Sequence, residues 1–133
     1  MKNIGIWMDK EKAFIITLTE DTTDMTVIQS DIENFRIHGG SGTRLKGGPQ
    51  DVVQDSRYLE REKNQFKVYF SKIIPHIKDA HKIALFGPAE AAKKFQKELK
   101  ENNTHLYTKT TGVYKADSMT ENQTKALIRD YFK

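Results

Sequence analysis

The run His38 to Asp51, HGGSGTRLKGGPQD, limits what this chain can fold into more than any other stretch. Five of the chain's eight glycines lie in it: Gly39, Gly40, Gly42, Gly47 and Gly48. Glycine tolerates positive φ and loses the most entropy on ordering, so a run this rich in it reads as neither strand nor helix interior. The reading is a flexible, basic, glycine-rich loop at about 38–51. From Arg36 to Gln50 there are three cations, Arg36, Arg44 and Lys46, and no carboxylate. Long loops inside compact domains are uncommon, and they are usually functional or disordered. This one ends at a helix start, where unpaired N–H groups favour anions.

The remainder reads as a scaffold for that loop. Its 133 residues fit one domain, 1–133, with enough chain to bury a single core. Charged residues make up 30% and no apolar run has the length of a membrane span, so no membrane partner is expected. MKNIGIWMDK is too short in apolar residues for a signal peptide. The absence of cysteine excludes a disulfide framework and a thiolate metal centre, and a cytoplasmic location is expected. A net charge of +4 does not by itself argue for a nucleic-acid partner; its concentration in the carboxylate-free stretch does.

Ile4–Met8, Ala13–Leu18 and Met25–Ser30 are apolar, β-prone runs joined by short polar links, and predict an antiparallel meander. After the loop, Asp51 and Gln54 have capping-box spacing. Leu59, Phe66, Phe70, Ile73 and Ile77 then mark one face of a long helix that Pro75 should end near Ile74. Lys82–Phe86 predicts a strand buried on both faces, and Pro88 the start of a helix through Glu101 with a Glu90–Lys94 pair outside. Leu106–Thr110 predicts a fifth strand, and Thr120 with Gln123 a capping box opening the last helix. The order β-β-β-α-β-α-β-α implies an α/β fold, a mixed five-stranded sheet with helices on both faces, in the ribonuclease-H-like arrangement.

A basic glycine loop between a three-strand meander and a long charged helix resembles the middle domain of the archaeal and eukaryotic class-one peptide release factors, a translational machinery component. The resemblance extends to bacterial relatives of that domain. It covers the meander, HGGSGTRLKGGPQD, RYLEREKNQFKVYFSKI and KIALFGPAEAAKKF. It implies a partner in ribosomal RNA or tRNA on the ribosome, and RNA contact through Arg36, His38, Arg44, Lys46, Gly47 and Gly48. In that family a Gly-Gly-Gln at the loop tip promotes hydrolysis of the peptide–tRNA ester. The matching residues here are Gly47-Gly48-Pro49-Gln50, which makes Gln50 the candidate for catalysis. The inserted proline turns the backbone and removes one N–H donor, so peptidyl-tRNA hydrolysis is expected to be absent or very poor.

Two rival functions follow from other residues. Asp9, at the end of the first strand, could hold a divalent metal in a ribonuclease-H-like nuclease, with Glu20, Asp21, Asp24 and Asp31 as further acids. Turns and strand ends favour Asp at such positions without any metal. The other rival is a non-catalytic protein-interaction module, which would need an exposed apolar patch. His38, His76, His81 and His105 lack zinc spacing, and the loop is not a P-loop because Gly48 follows Gly47 where Lys is required. Ser41 lacks the strand-to-helix setting of a nucleophile, and Trp7 reads as core. No metal and no cofactor are expected.

Overall fold

In β1 (Asn3–Met8) every residue from Ile4 to Met8 is buried, as required of a central strand covered on both faces. The computed structural model describes residues 2–32, 48–88 and 90–133, and for 48–59 the backbone alone. After β1 come β2 (Lys12–Leu18), β3 (Thr23–Gln29), α1 (Gly48–Ile77), β4 (Lys82–Gly87), α2 (Ala91–Asn102), α3 (Thr104–Lys109), β5 (Thr110–Lys115) and α4 (Glu121–Tyr131). The sheet order is β3-β2-β1-β4-β5. β2 runs antiparallel to its neighbours β1 and β3, while β4 is parallel to both β1 and β5. This is the expected mixed five-stranded α/β fold of ribonuclease-H-like type.

The two-residue period of the strands sorts side chains to opposite faces. Ile4, Ile6, Met8, Ile15, Ile83 and Leu85 point to the face covered by α1 and α2, where Phe66, Tyr69, Phe70, Phe95 and Leu99 meet them. Trp7, Phe14, Ile16 and Phe86 point to the other face and meet Ile128 of α4. Trp7 is core as expected, and its Nε1 donates to the Ala116 carbonyl at 3.0 Å.

Several boundaries differ from expectation. The helix α1 begins at Gly48, ahead of Asp51, because proline is well suited to a first helical turn and Pro49 sits there. Pro75 lies within the helix, which runs on to Ile77. The bond its missing N–H forfeits belongs to the carbonyl of Ser71, an exposed residue with access to water. α2 begins at Ala91, with Glu90 at its N-cap in right-handed helical geometry, rather than at Pro88. The expected strand at Leu106–Thr110 is instead α3 followed by β5. Leu106 is buried and Tyr107 packs beside it, while Thr104, His105 and Thr108 face water, a helical pattern compressed into six residues. β5 is an edge strand and half solvated, so its apolar signal is weak.

Candidate functional site

The glycine-rich connection leaves the sheet where β3 ends and returns at the start of α1. Its exit is fastened. Ser30 is buried, its N–H donates to Glu11 O at 2.9 Å and its Oγ to Lys10 O at 2.5 Å. Ile32 N–H donates back to Ser30 Oγ at 3.2 Å. Between them Asp31 has φ 58°, a left-handed conformation that Asp adopts more readily than most residues. Lys72 of α1 then reaches Asp31 at 2.9 Å and the Gln29 carbonyl at 3.1 Å. The chain therefore departs from one fixed point beside the helix to which it must return.

The helix carries that return point away from the sheet. Its 30 residues make a rod of about 45 Å, whereas strands of six or seven residues reach only about 20 Å. Its C-terminal end is level with the start of β1 and β4, since Ala80 N–H donates to Ile77 O and His81 N–H to Lys2 O. Going back along the helix, Tyr69 OH donates to the Asp9 carbonyl at 2.9 Å, just past the end of β1. Two turns further out, Lys10 bonds Glu62 at 2.6 Å. Burial pushes the Tyr69 hydroxyl far above its usual range, and the nearby Asp9 charge adds to this, so it is a permanent donor. The twelve residues 48–59 thus extend roughly 18 Å beyond the strand ends. Gly48, Pro49 and Gln50 form the first turn at that end.

Of the sequence-derived site residues, Gly48 and Gln50 are placed by the backbone in this turn. Arg36, His38, Arg44, Lys46 and Gly47 lie outside the described residues. Asp9, the anchor of the nuclease alternative, uses its carboxylate to close the β1–β2 turn. Its Oδ1 accepts the N–H groups of Glu11 and Lys12 at 2.8 and 2.9 Å. Among the described residues no group of three His, Cys, Asp or Glu side chains gathers as a metal site would require. The exposed large apolar side chains described are Val27, Val68, Tyr114 and Tyr131, spread over four elements. No helix among the described residues is long and apolar enough to cross a membrane.

Sequence reasoning missed two features. Tyr69, which ties the helix to the end of β1, was not among the inner-face residues chosen, although it stands three residues after Phe66 and four before Ile73. The second is a bank of lysines across α1 and α2. Lys63, Lys67, Lys93, Lys94, Lys97 and Lys100 are all exposed. Lys94 does not pair with Glu90 but extends over the Phe66 ring, 4.6 Å from its centroid. The signal was present in AAKKFQKELK, where every lysine falls on the solvent side of the inward Phe95 and Leu99.

No family profile matches the chain. No curated protein matches it either. Solved structures do. Pelota from Archaeoglobus fulgidus aligns with a TM-score of 0.60 at 11% identity over 97% of this chain. Pelota from Thermoplasma acidophilum aligns with a TM-score of 0.56 at 16% identity over 97% of it. An archaeal translation termination factor aligns with a TM-score of 0.57 at 11% identity over 90% of it. The chain spans about a third of those proteins' own length, 31%, 32% and 31% respectively. At such identities the likeness is one of fold: nearly the whole chain is built like one part of Pelota and of the termination factor.

Proposed function

We propose that residues 1–133 act as a translation-associated RNA-binding domain that docks on the ribosome or on tRNA through the β3–α1 connection. The observation that carries this reading is the fold shared with Pelota and an archaeal translation termination factor, joined in this chain to a basic, glycine-rich sequence that leads into the start of α1. One of the proteins sharing that fold is a translation termination factor. Arg36, Arg44 and Lys46 would meet phosphates, His38, Gly47 and Gly48 would let the backbone approach RNA closely, and Gln50 would lie next to the tRNA end. The separation of Gln50 from the glycine pair by Pro49 makes this a binding role without efficient ester hydrolysis.

Co-sedimentation with ribosomes across a salt series tests it. Cations that neutralise phosphates release counterions, so affinity falls with salt, by about 0.7 log units per tenfold salt for each phosphate on a single strand. Arg44→Ala with Lys46→Ala should weaken binding at low salt and flatten the slope by about 1.4. Lys2→Ala with Lys82→Ala, at the opposite end of the sheet, should leave it unchanged. Wild-type protein that fails to sediment with ribosomes at low salt removes the reading. Robust peptide release from peptidyl-tRNA that disappears in Gln50→Ala would make the protein an enzyme.

A further inference from the structure

We infer that the face shared by α1 and α2 is a second RNA-contacting surface, a rigid lysine bank that takes the phosphate backbone of a strand whose other contact is the β3–α1 connection. The inference rests on the translation reading for the identity of the RNA. Its own support comes from a different part of the molecule.

Between the two helices lies a groove of about 440 Å³. Phe66 and Phe70 line it together with Lys63 and Lys67 from α1 and Lys94 and Lys97 from α2. Lys97 is shared with a second concavity, of about 540 Å³, lined also by Lys93, Lys100 and Tyr107. The two depressions therefore form one track, with cations along it and the half-buried Tyr107 ring at its side.

Lysines outnumber acids on this face, six against Glu62, Glu98 and Glu101. None of the six lysines forms an ion pair with a carboxylate among the described residues. Elsewhere the chain does pair its lysines, Lys2 with Asp79, Lys10 with Glu62 and Lys72 with Asp31. Of the three acids lining the track, Glu62 is engaged by Lys10 and Glu98 by the Asn102 amide at 2.9 Å. Lys63 and Lys67, Lys93 and Lys97, Lys94 and Lys97, and Lys97 and Lys100 stand three or four residues apart, a spacing at which like charges destabilise a helix. A polyanion lying in the track would relieve that repulsion and release its own counterions. RNA fits better than an acidic protein segment because the lysines are distributed along an open track, as the regular spacing of a phosphate backbone requires.

Position supports a two-point contact. Lys63 is fifteen residues along α1 from Gly48, roughly 22 Å from the helix tip. The lysine bank is therefore separate from the tip while held rigidly to it by one helix.

The experiment uses the full chain and a short fluorescein-labelled single-stranded RNA, with ribosome co-sedimentation in parallel. Lys63→Ala, Lys67→Ala, Lys97→Ala and Lys100→Ala are combined, leaving Lys94 on Phe66. If all four contacts are made, the salt slope for RNA should flatten by about 2.8. A control with the same loss of charge, Lys78→Ala, Lys82→Ala, Lys125→Ala and Lys133→Ala, should keep the wild-type slope. Ribosome binding that survives while the groove variant shows the wild-type slope overturns the inference and spares the translation reading. RNA binding that depends on the groove, with no ribosome binding, supports the inference and removes that reading. Equal effects from groove and control variants, or equal competition by polyglutamate and by unlabelled RNA, overturn it. Thermal melts of both variants confirm that each is folded.

Discussion

Under α1 and α2 the sheet is closed by a continuous apolar layer running from Phe66 to Ile77 on one helix and through Phe95 and Leu99 on the other. On the opposite face α4 contributes Ile128 as its buried apolar residue, flanked by the partly buried Leu127. That thinner face is fastened by groups with polar tips. Tyr131 OH lies 2.7 Å from Tyr114 OH and donates to Thr111 Oγ1 at 2.8 Å, and both tyrosine rings pack on Phe86. The overhanging end of α1 and the lysine bank both belong to the thick face. A helix that projects about 18 Å past its sheet needs a strong anchor along its remaining length, and that anchor is the apolar layer. The thin face needs only to keep water from Trp7, Phe14 and Phe86.

The largest expected effect lies in the thick face. Phe70 is 4% exposed and contacts Phe66, Tyr69 and Phe95, with ring centroids 5.2–5.8 Å apart. Phe70→Ala should cost about 3–5 kcal/mol in denaturant melts. A loss below about 1 kcal/mol would show that α1 is not anchored this way and would remove the contrast between the faces.

Next comes the contact between the thin face and the sheet. A Cβ at Gly5 would lie 2.6 Å from Cγ1 and Cγ2 of Ile128, so β1 and α4 touch with no room between them. Gly5→Ala must push α4 outward, and a cost of about 1–3 kcal/mol is expected. Hydrogen exchange sharpens the comparison: amides of α4 should lose protection first, while those of Phe66 to Ile77 keep theirs. Equal loss in both helices would mean that the two faces unfold as one unit.

A smaller effect is expected at the start of α4. Thr120 Oγ1 accepts the Gln123 N–H at 3.1 Å, and Gln123 Oε1 accepts the Thr120 N–H at 2.9 Å. Thr120→Ala should cost about 1 kcal/mol. The same melts should show it adding to Phe70→Ala, since the two sites lie on opposite faces.

These sites also separate what could be read in the sequence from what could not. The capping box, the spacing of Phe66, Phe70, Ile73 and Ile77, and the all-apolar β4 are local patterns, and each was legible. β5 was placed too early because an edge strand with one wet side carries little apolar signal, while Leu106 and Tyr107 just before it carry more. The latch at Ser30 and Asp31 depends on Lys10, Glu11 and Lys72, and no short-range rule joins residues that far apart. The lysine bank escaped for the same reason. Each helix alone looks like an ordinary solvated face, and only their packing makes one track of them.

The smallest effect at neutral pH grows in alkali, and it compares one residue type on the two faces. Tyr69 and Tyr114 both have hydroxyls held above the usual 10.0. For Tyr69 the main cause is burial in the thick face, with the Asp9 charge second. For Tyr114 it is the hydrogen bond to Tyr131 on an exposed surface. Tyr69→Phe removes one hydrogen bond, to the Asp9 carbonyl, and should cost about 0.5–1.5 kcal/mol near neutrality. Above pH 10.0 the unfolded chain releases the Tyr69 proton while the folded chain retains it. The unfolded state then binds fewer protons, so wild-type stability must fall as pH rises, by about 1.4 kcal/mol per unit from this group. Tyr69→Phe lacks that term, so its stability should fall less steeply and the gap to wild type should narrow and then reverse. Tyr114→Phe should leave the alkaline limb close to wild type, because water screens an exposed hydroxyl. Urea melts from neutral pH to about one unit above 10.0 decide it. Parallel alkaline limbs for wild type and Tyr69→Phe would show that Tyr69 ionises freely in the folded protein, and that the anchor of α1 at the end of β1 is open to water.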